Sequence, residues 1–173
     1  ASIAFSGNYD GNVDVYVVPV AGGSPKRLTW HSADDLVEGF DPQGRIVFSS
    51  QSDVQSPREV HLFTIDPQAA FPERLPIPRG VDADVSPDGR AIAYAQTAPQ
   101  SQWKSYRGGT VSRIAIMSFA DHALTHVPQP PGRCNDIDPM WIGGRIYFDS
   151  HRHGEFNLHS FDPASGEVRQ LTS

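Results

Sequence analysis

The chain has 173 residues, 38% of them hydrophobic, and its 14 Lys and Arg stand against 20 Asp and Glu for a net charge of −6. That balance argues against a nucleic-acid or anionic-membrane surface, both of which select basic patches, and no apolar run reaches the roughly 18 residues of a bilayer-spanning helix. The single Cys134 has no partner for an internal disulfide, which suits a cytoplasmic compartment and equally a periplasmic one. Ala1 begins two residues before a strand pattern with no initiator Met, so the chain is expected to be a piece of a longer protein.

In chain order, the first strand pattern is Ile3-Ala4-Phe5, an Ile-x-aromatic phrase. Asn8-Tyr9-Asp10-Gly11-Asn12 follows and reads as a turn, since it lacks the acidic run that a hard cation requires. Val15-Tyr16-Val17-Val18 is a second strand, Val20 a further apolar position, and a short strand is centred on Leu28. Leu36–Phe40 then leads into Asp41-Pro42-Gln43-Gly44-Arg45, a tight turn in which Pro presets φ and Gly accepts φ > 0. The phrase returns as Ile46-Val47-Phe48, as Ile92-Ala93-Tyr94 after Ser86-Pro87-Asp88-Gly89-Arg90, and as Ile146-Tyr147-Phe148 after Gly143-Gly144-Arg145. Ile3, Ile46, Ile92 and Ile146 are thus 43, 46 and 54 residues apart, near the ~40–45 of a four-stranded propeller blade.

Each unit reads as four short strands, A before the Gly turn, then B (Ile-x-aromatic), C and D. The C strands are Val15–Val18, Val60–Phe63, Ile114–Met117 and Phe156–His159, and the D strands centre on Leu28, Leu75, Val127 and Leu171. No segment keeps a 3.6-residue apolar period over helical length. The fold class is therefore all-β: a β-propeller of four-stranded antiparallel blades, about four present, in a ring that is not closed by this chain alone. The expected divisions of a single propeller piece over 1–173 are a partial blade at 1–29 and blades at 36–77, 81–128 and 135–173. Fifteen strands are expected, because the first unit lacks its strand A.

Antiparallel order puts the tight A–B turns at one end and the B–C and D–A loops at the other. The B-to-C interval is 12, 14 and 10 residues in three units and 22 in the unit of Ile92 and Ile114. That long loop, 96–112, carries Trp103, Lys104, Tyr106 and Arg107. A long loop bearing aromatics and charge on a rigid scaffold is a candidate site. Its other account is a cap, with the rings folded onto the end of the propeller.

The combination of an Ile-Ala-Phe strand, an Asp-Gly turn and Arg-Leu-Thr resembles the WD40-like propeller repeats shared by TolB and tricorn protease. Three stretches favour the tricorn protease family: Trp103–Thr110, Phe71-Pro72-Glu73-Arg74-Leu75-Pro76-Ile77-Pro78, and Asn135-Asp136-Ile137-Asp138-Pro139-Met140-Trp141. The resemblance covers essentially the whole chain. It departs at Ser150-His151-Arg152-His153-Gly154, where the family usually shows Asp in place of both His. It implies the N-terminal six-bladed propeller of a self-compartmentalising serine protease that trims oligopeptides. The implied partners are the remaining blades and protease domains of a longer chain, oligopeptides, and other copies of the parent in an oligomer. The family's catalytic Ser and His lie in C-terminal domains, so no catalytic residue is carried over, and the chain alone is expected not to be an enzyme.

Strand A is innermost in a propeller, so Asp82, Asp84, Asp136 and Asp138 are candidates for lining the channel. Alternation puts each pair on one face, where a negative surface steers basic peptides inward. The competing account has them bonding backbone amides at turns. His151 and His153, with Glu155, are weak metal candidates in what reads as a plain hairpin tip, so no cofactor is expected. Cys134 reads as a buried, inert thiol. Two other functions stay open at this point: a TolB-like interaction scaffold, and a propeller hydrolase or lyase with its own channel site, which needs convergent His, carboxylate and metal. Unpaired blade edges also predict self-association of the fragment.

Overall fold

The computed structural model describes residues 1–54, 56, 59–69, 71–97, 108–132 and 134–173. Among them are fifteen strands and no helix. The four Ile-x-aromatic phrases form β1 (Ser2–Gly7), β5 (Ile46–Ser50), β9 (Ala91–Ala95) and β13 (Arg145–Ser150). The C strands are β2 (Asp14–Pro19), β6 (His61–Ile65), β10 (Ile114–Ser118) and β14 (Asn157–Phe161). Strands D are β3 (Lys26–Arg27), β7 (Glu73–Arg74), β11 (Leu124–His126) and β15 (Val168–Gln170). Strands A are β4 (Asp35–Phe40), β8 (Val81–Val85) and β12 (Asp136–Ile142).

Within each sheet the strands pair antiparallel in sequence order, giving one three-stranded sheet, β1–β3, and three four-stranded sheets, β4–β7, β8–β11 and β12–β15. These up-and-down meanders are β-propeller blades. The D strands end one residue before the apolar position expected at their centre. Leu28, Leu75, Val127 and Leu171 instead donate a single main-chain bond back to strand C, at Val15, Leu62, Ile114 and Leu158. There the chain leaves the ladder, and Leu28, Leu75 and Val127 plug the end of the core.

The A–B turns hold themselves together. The Asp41 carboxylate accepts the N–H groups of Gln43 and Arg45. In the next repeat Ser86 Oγ accepts those of Arg90 and Ala91. Gly44 and Gly89 sit at φ 83° and 71°, where a Cβ is disfavoured.

The chain divides into two compact units, Ala1–Arg79 and Gly80–Ser173. In the first, Val15, Val17 and Leu28 of one sheet bury Ile46, Phe48, Phe63 and Ile65 of the next, with Ala4 and Val37 against them. In the second, Ala93, Ile114, Ile116 and Val127 do the same for Ile146, Phe148 and Phe161. One rule operates in both: the Ile-x-aromatic face of a sheet lies on the small or branched side chains of the sheet before it. Full burial of each such Ile or Phe contributes about 1.5–3 kcal/mol.

Candidate functional site

The inner strands are bulged. Pairing skips a residue between Val37 and Gly39 in β4, between Val81 and Ala83 in β8, and between Ile137 and Met140 in β12. In β8 the skipped residue is Asp82 (φ 48°), and β12 carries Asp138 (φ 50°) in its bulge. Val85 and Trp141 pair with Ile92 and Ile146, the same repeat position, and three residues back lie Asp82 and Asp138. Two consecutive blades therefore hold an aspartate in the left-handed region at the same place, a conformation that Asp tolerates better than most residues. The side chain of Asp84 reaches the next inner strand, where it accepts the Trp141 N–H at 2.7 Å. Burial raises the Asp84 carboxyl above its ordinary value, against the lowering pull of that bond.

The bulges overturn the expected pairing of faces. Strict alternation would set Asp136 beside Asp138, but an inserted residue reverses the side on which the following residues emerge. Asp138 is exposed, whereas Asp136 is fully buried. Its carboxylate accepts Arg152 at 3.0 Å and Gln129 Nε2 at 3.0 Å. Asp136 belongs to a joint between sheets.

That joint has a twin in the other unit. The Asp136 N–H donates to the Ser112 carbonyl, and the Ser112 N–H donates to Asn135 Oδ1 at 2.9 Å. In the first unit the Asp35 N–H donates to the Val13 carbonyl, and the Val13 N–H to Asp34 Oδ1 at 3.0 Å. The joint of the second unit also holds a buried carboxylate with an arginine, Asp136 with Arg152; in the first unit the buried Asp14 pairs with Arg27 on the opposite face of its sheet. Arg152 additionally donates to Ser150 Oγ and the Pro128 carbonyl and lies over the Phe148 ring.

The histidines are absorbed into packing. His151 accepts the Asn135 N–H through Nδ1 at 3.0 Å and stacks on Phe156, while His153 stacks on His159. His151 and His153 thus face different partners, and among the described residues no group of three or more His, Cys, Asp or Glu is placed to hold a metal. His61 lies 2.6 Å from Asp53 through Nδ1, and Arg74 approaches its Nε2 at 3.1 Å. Since guanidinium only donates, Nε2 is the acceptor, and the nitrogen a general base would need is already engaged. Cys134 is buried, and its thiol is pushed up to about 11 by burial and by the neighbouring Asp136 charge. Trp103, Lys104, Tyr106 and Arg107 lie outside the described residues.

The model of the tricorn protease N-terminal β-propeller domain matches residues 1–173, the whole chain. The chain belongs to that family. Tricorn protease homolog 1 of Streptomyces coelicolor is 28% identical over 172 residues, covering 98% of this chain and 16% of the relative. The crystal structure of the tricorn protease superposes with a TM-score of 0.79 at 23% identity, over 99% of this chain and 17% of that one. A putative TolB from Agrobacterium tumefaciens gives a TM-score of 0.76 at 18% identity, over 98% of this chain and 60% of that one. The chain spans about a sixth of the length of the tricorn relative, and the structural likenesses speak for the propeller fold. No helix among the described residues is long and apolar enough to cross a membrane.

In this tricorn propeller segment, sequence reasoning missed Asp35, Gln129 and Arg152, the polar filling of the joints, and the Asp14–Arg27 pair within the first sheet. One signal was present. Asp34-Asp35 and Asn135-Asp136 recur at the start of β4 and β12.

Proposed function

We propose that this chain is the non-catalytic propeller part of a tricorn-like self-compartmentalising serine protease. In this reading 1–173 is one stretch of a six-bladed propeller that shapes the passage of oligopeptides and docks to the protease body. Membership of the propeller family, in a chain a sixth of its relative's length, carries the reading. The fixed aspartates Asp82 and Asp138 on consecutive inner strands support a charge-selective passage. The engagement of His61 by Arg74 and of His151 by Asn135 supports the absence of chemistry in this segment.

The test uses the full-length protease carrying Asp82→Asn and Asp138→Asn together. For peptides of net positive charge, kcat/KM is expected to fall several-fold at low salt, with the difference fading as the Debye length shortens to about 8 Å near physiological ionic strength. Neutral peptides are expected to be unaffected. An equal loss for cationic, neutral and anionic peptides would remove the charge-selective reading, and an unchanged cationic rate would remove the passage from these strands altogether.

A further inference from the structure

The two joints differ in how their buried aspartate is balanced. Asp35 and Asp136 hold the same repeat position, each paired across the ladder with a serine of strand B, Ser50 and Ser150. Both are buried. Two residues after the serine, the Arg152 N–H donates to Ser150 Oγ at 3.2 Å and the Ser52 N–H to Ser50 Oγ at 3.0 Å. The main chain is thus alike in the two joints, but one projects a guanidinium there and the other a hydroxymethyl group. Asp136 has the Arg152 charge beside it. Asp35 has no such partner among the described residues, and its Oδ1 is buried without a hydrogen bond.

The charged groups that face Asp35 are few. At the start of β2, Asp14 reaches the site through Thr29 and pairs with Arg27 on the other face of its sheet. The stretch after β3 brings His31, and on β4 itself Asp34 accepts the Val13 N–H. On β6, beyond Ser50, lies His61, engaged by Asp53 and Arg74.

Thr29 shows where a proton belongs. Its Oγ accepts the Val15 N–H at 3.0 Å and lies 3.4 Å from Asp14 Oδ1, to which it donates. The same hydroxyl, with that of Ser50, hydrogen-bonds the Asp35 carboxyl, through Oδ2, since Oδ1 has no partner. One hydroxyl hydrogen cannot serve two carboxylates, so both contacts are made only when one carboxyl carries a proton. Asp14 has the Arg27 guanidinium to balance it, which leaves the proton to Asp35. A buried carboxyl with no cation takes up a proton in preference to an unpaired charge. Burial accordingly raises the Asp35 carboxyl above its ordinary value, the Asp14 charge adds to this, and Ser50, Thr29 and His31 pull the other way without cancelling it.

We propose that a proton on Asp35 stands in the first joint where Arg152 stands in the second, making the contact between the first two sheets a latch that closes in acid and loosens as the carboxyl ionises. The native form then binds this proton more tightly than the unfolded chain does. The contribution is complete below the ordinary 3.8 and is lost as pH rises through the raised value. The second joint, whose balancing charge is a guanidinium, lacks the response. The inference rests on the joint alone and is independent of the peptide-passage reading.

The experiment follows amide hydrogen exchange, resolved by mass spectrometry, in the full-length protein and its Asp35→Asn variant, the two compared at each pH. Asn mimics the neutral acid, with an oxygen to accept and an amide to donate to Thr29. Val13 reports the first joint and Ser112 the second. Exchange at Val13 is expected to be equal in the two proteins near pH 3.8. Above the raised value the unsubstituted protein is expected to exchange faster, by up to about tenfold per pH unit, the linkage of one proton. Exchange at Ser112 is expected to match at every pH. A ratio at Val13 that stays flat with pH would overturn the proposal, because a merely structural role of Asp35 gives a constant offset. So would a ratio that collapses on adding calcium, since the balancing charge would then be a metal ion.

Discussion

Arg152 and Asp136 form an ion pair at 3.0 Å in which neither side chain retains more than 6% exposure. Such a pair is strongly destabilised by removing one partner, because the other charge stays behind in a dry site. Arg152→Met is therefore expected to cost about 3–5 kcal/mol, and adding Asp136→Asn to recover much of it. Urea unfolding of the two variants beside the parent protein reads this out; an Arg152→Met protein within about 0.5 kcal/mol of the parent, the range of ordinary surface changes, would show that the joint does not depend on the pair.

Asp84 gives a test with a sign. Its carboxyl is raised by burial above the ordinary 3.8, so the native form binds a proton more tightly than the unfolded chain. The stabilising contribution is complete below the unfolded value and is lost as pH rises through the raised one. Asp84→Asn keeps an acceptor for the Trp141 N–H and removes the charge. At pH 7 it is expected to match or exceed the parent protein in stability, with the advantage disappearing as pH falls towards 3.8. Asp84→Ala orphans the Trp141 N–H and is expected to cost about 1–3 kcal/mol at either pH. An Asn variant that loses stability at pH 7 would refute the burial account.

The left-handed aspartates separate conformation from charge. Asp82→Gly and Asp138→Gly are expected to be tolerated, whereas Val at either position carries the penalty of about 1–2 kcal/mol for a branched residue at positive φ. Thermal unfolding of the Gly and Val variants decides it, and equal stability of the two would mean that the bulges relax.

Cys134 is expected to resist thiol reagents. With its thiol pushed up to about 11, the reactive thiolate at pH 8 is depleted by roughly two-hundredfold relative to a free cysteine near 8.5. A disulfide-exchange reagent should label the protein slowly in buffer and fully in guanidinium, and rapid native labelling would contradict the burial.

The repeat made most of the fold legible. Four copies of Ile-x-aromatic fix four B strands, and the Gly turns and spacings place the strands around them, down to the absence of a strand A before β1. The inner strands were less readable. Asp82 and Asp138 were visible as acidic residues on strand A, but a bulge leaves no mark in a five- to seven-residue alternation, so alternation alone could not set their faces. Asp136 shows the cost: two residues from Asp138 in sequence, it was grouped with it, and only the positions of Arg152 and Gln129, 16 and 7 residues away, reveal it as a joint residue. Long-range polar partners have no periodic signature.

Val13 and Ser112 accept and donate across their joints through the peptide group alone. One is branched and apolar, the other a small alcohol, and the same two bonds form. A coupling that asks only for main-chain atoms on one side and for an Asp or Asn oxygen on the other places few demands on the remaining residues, so blades joined in this way can be duplicated and drift apart in sequence while still keeping the same two bonds.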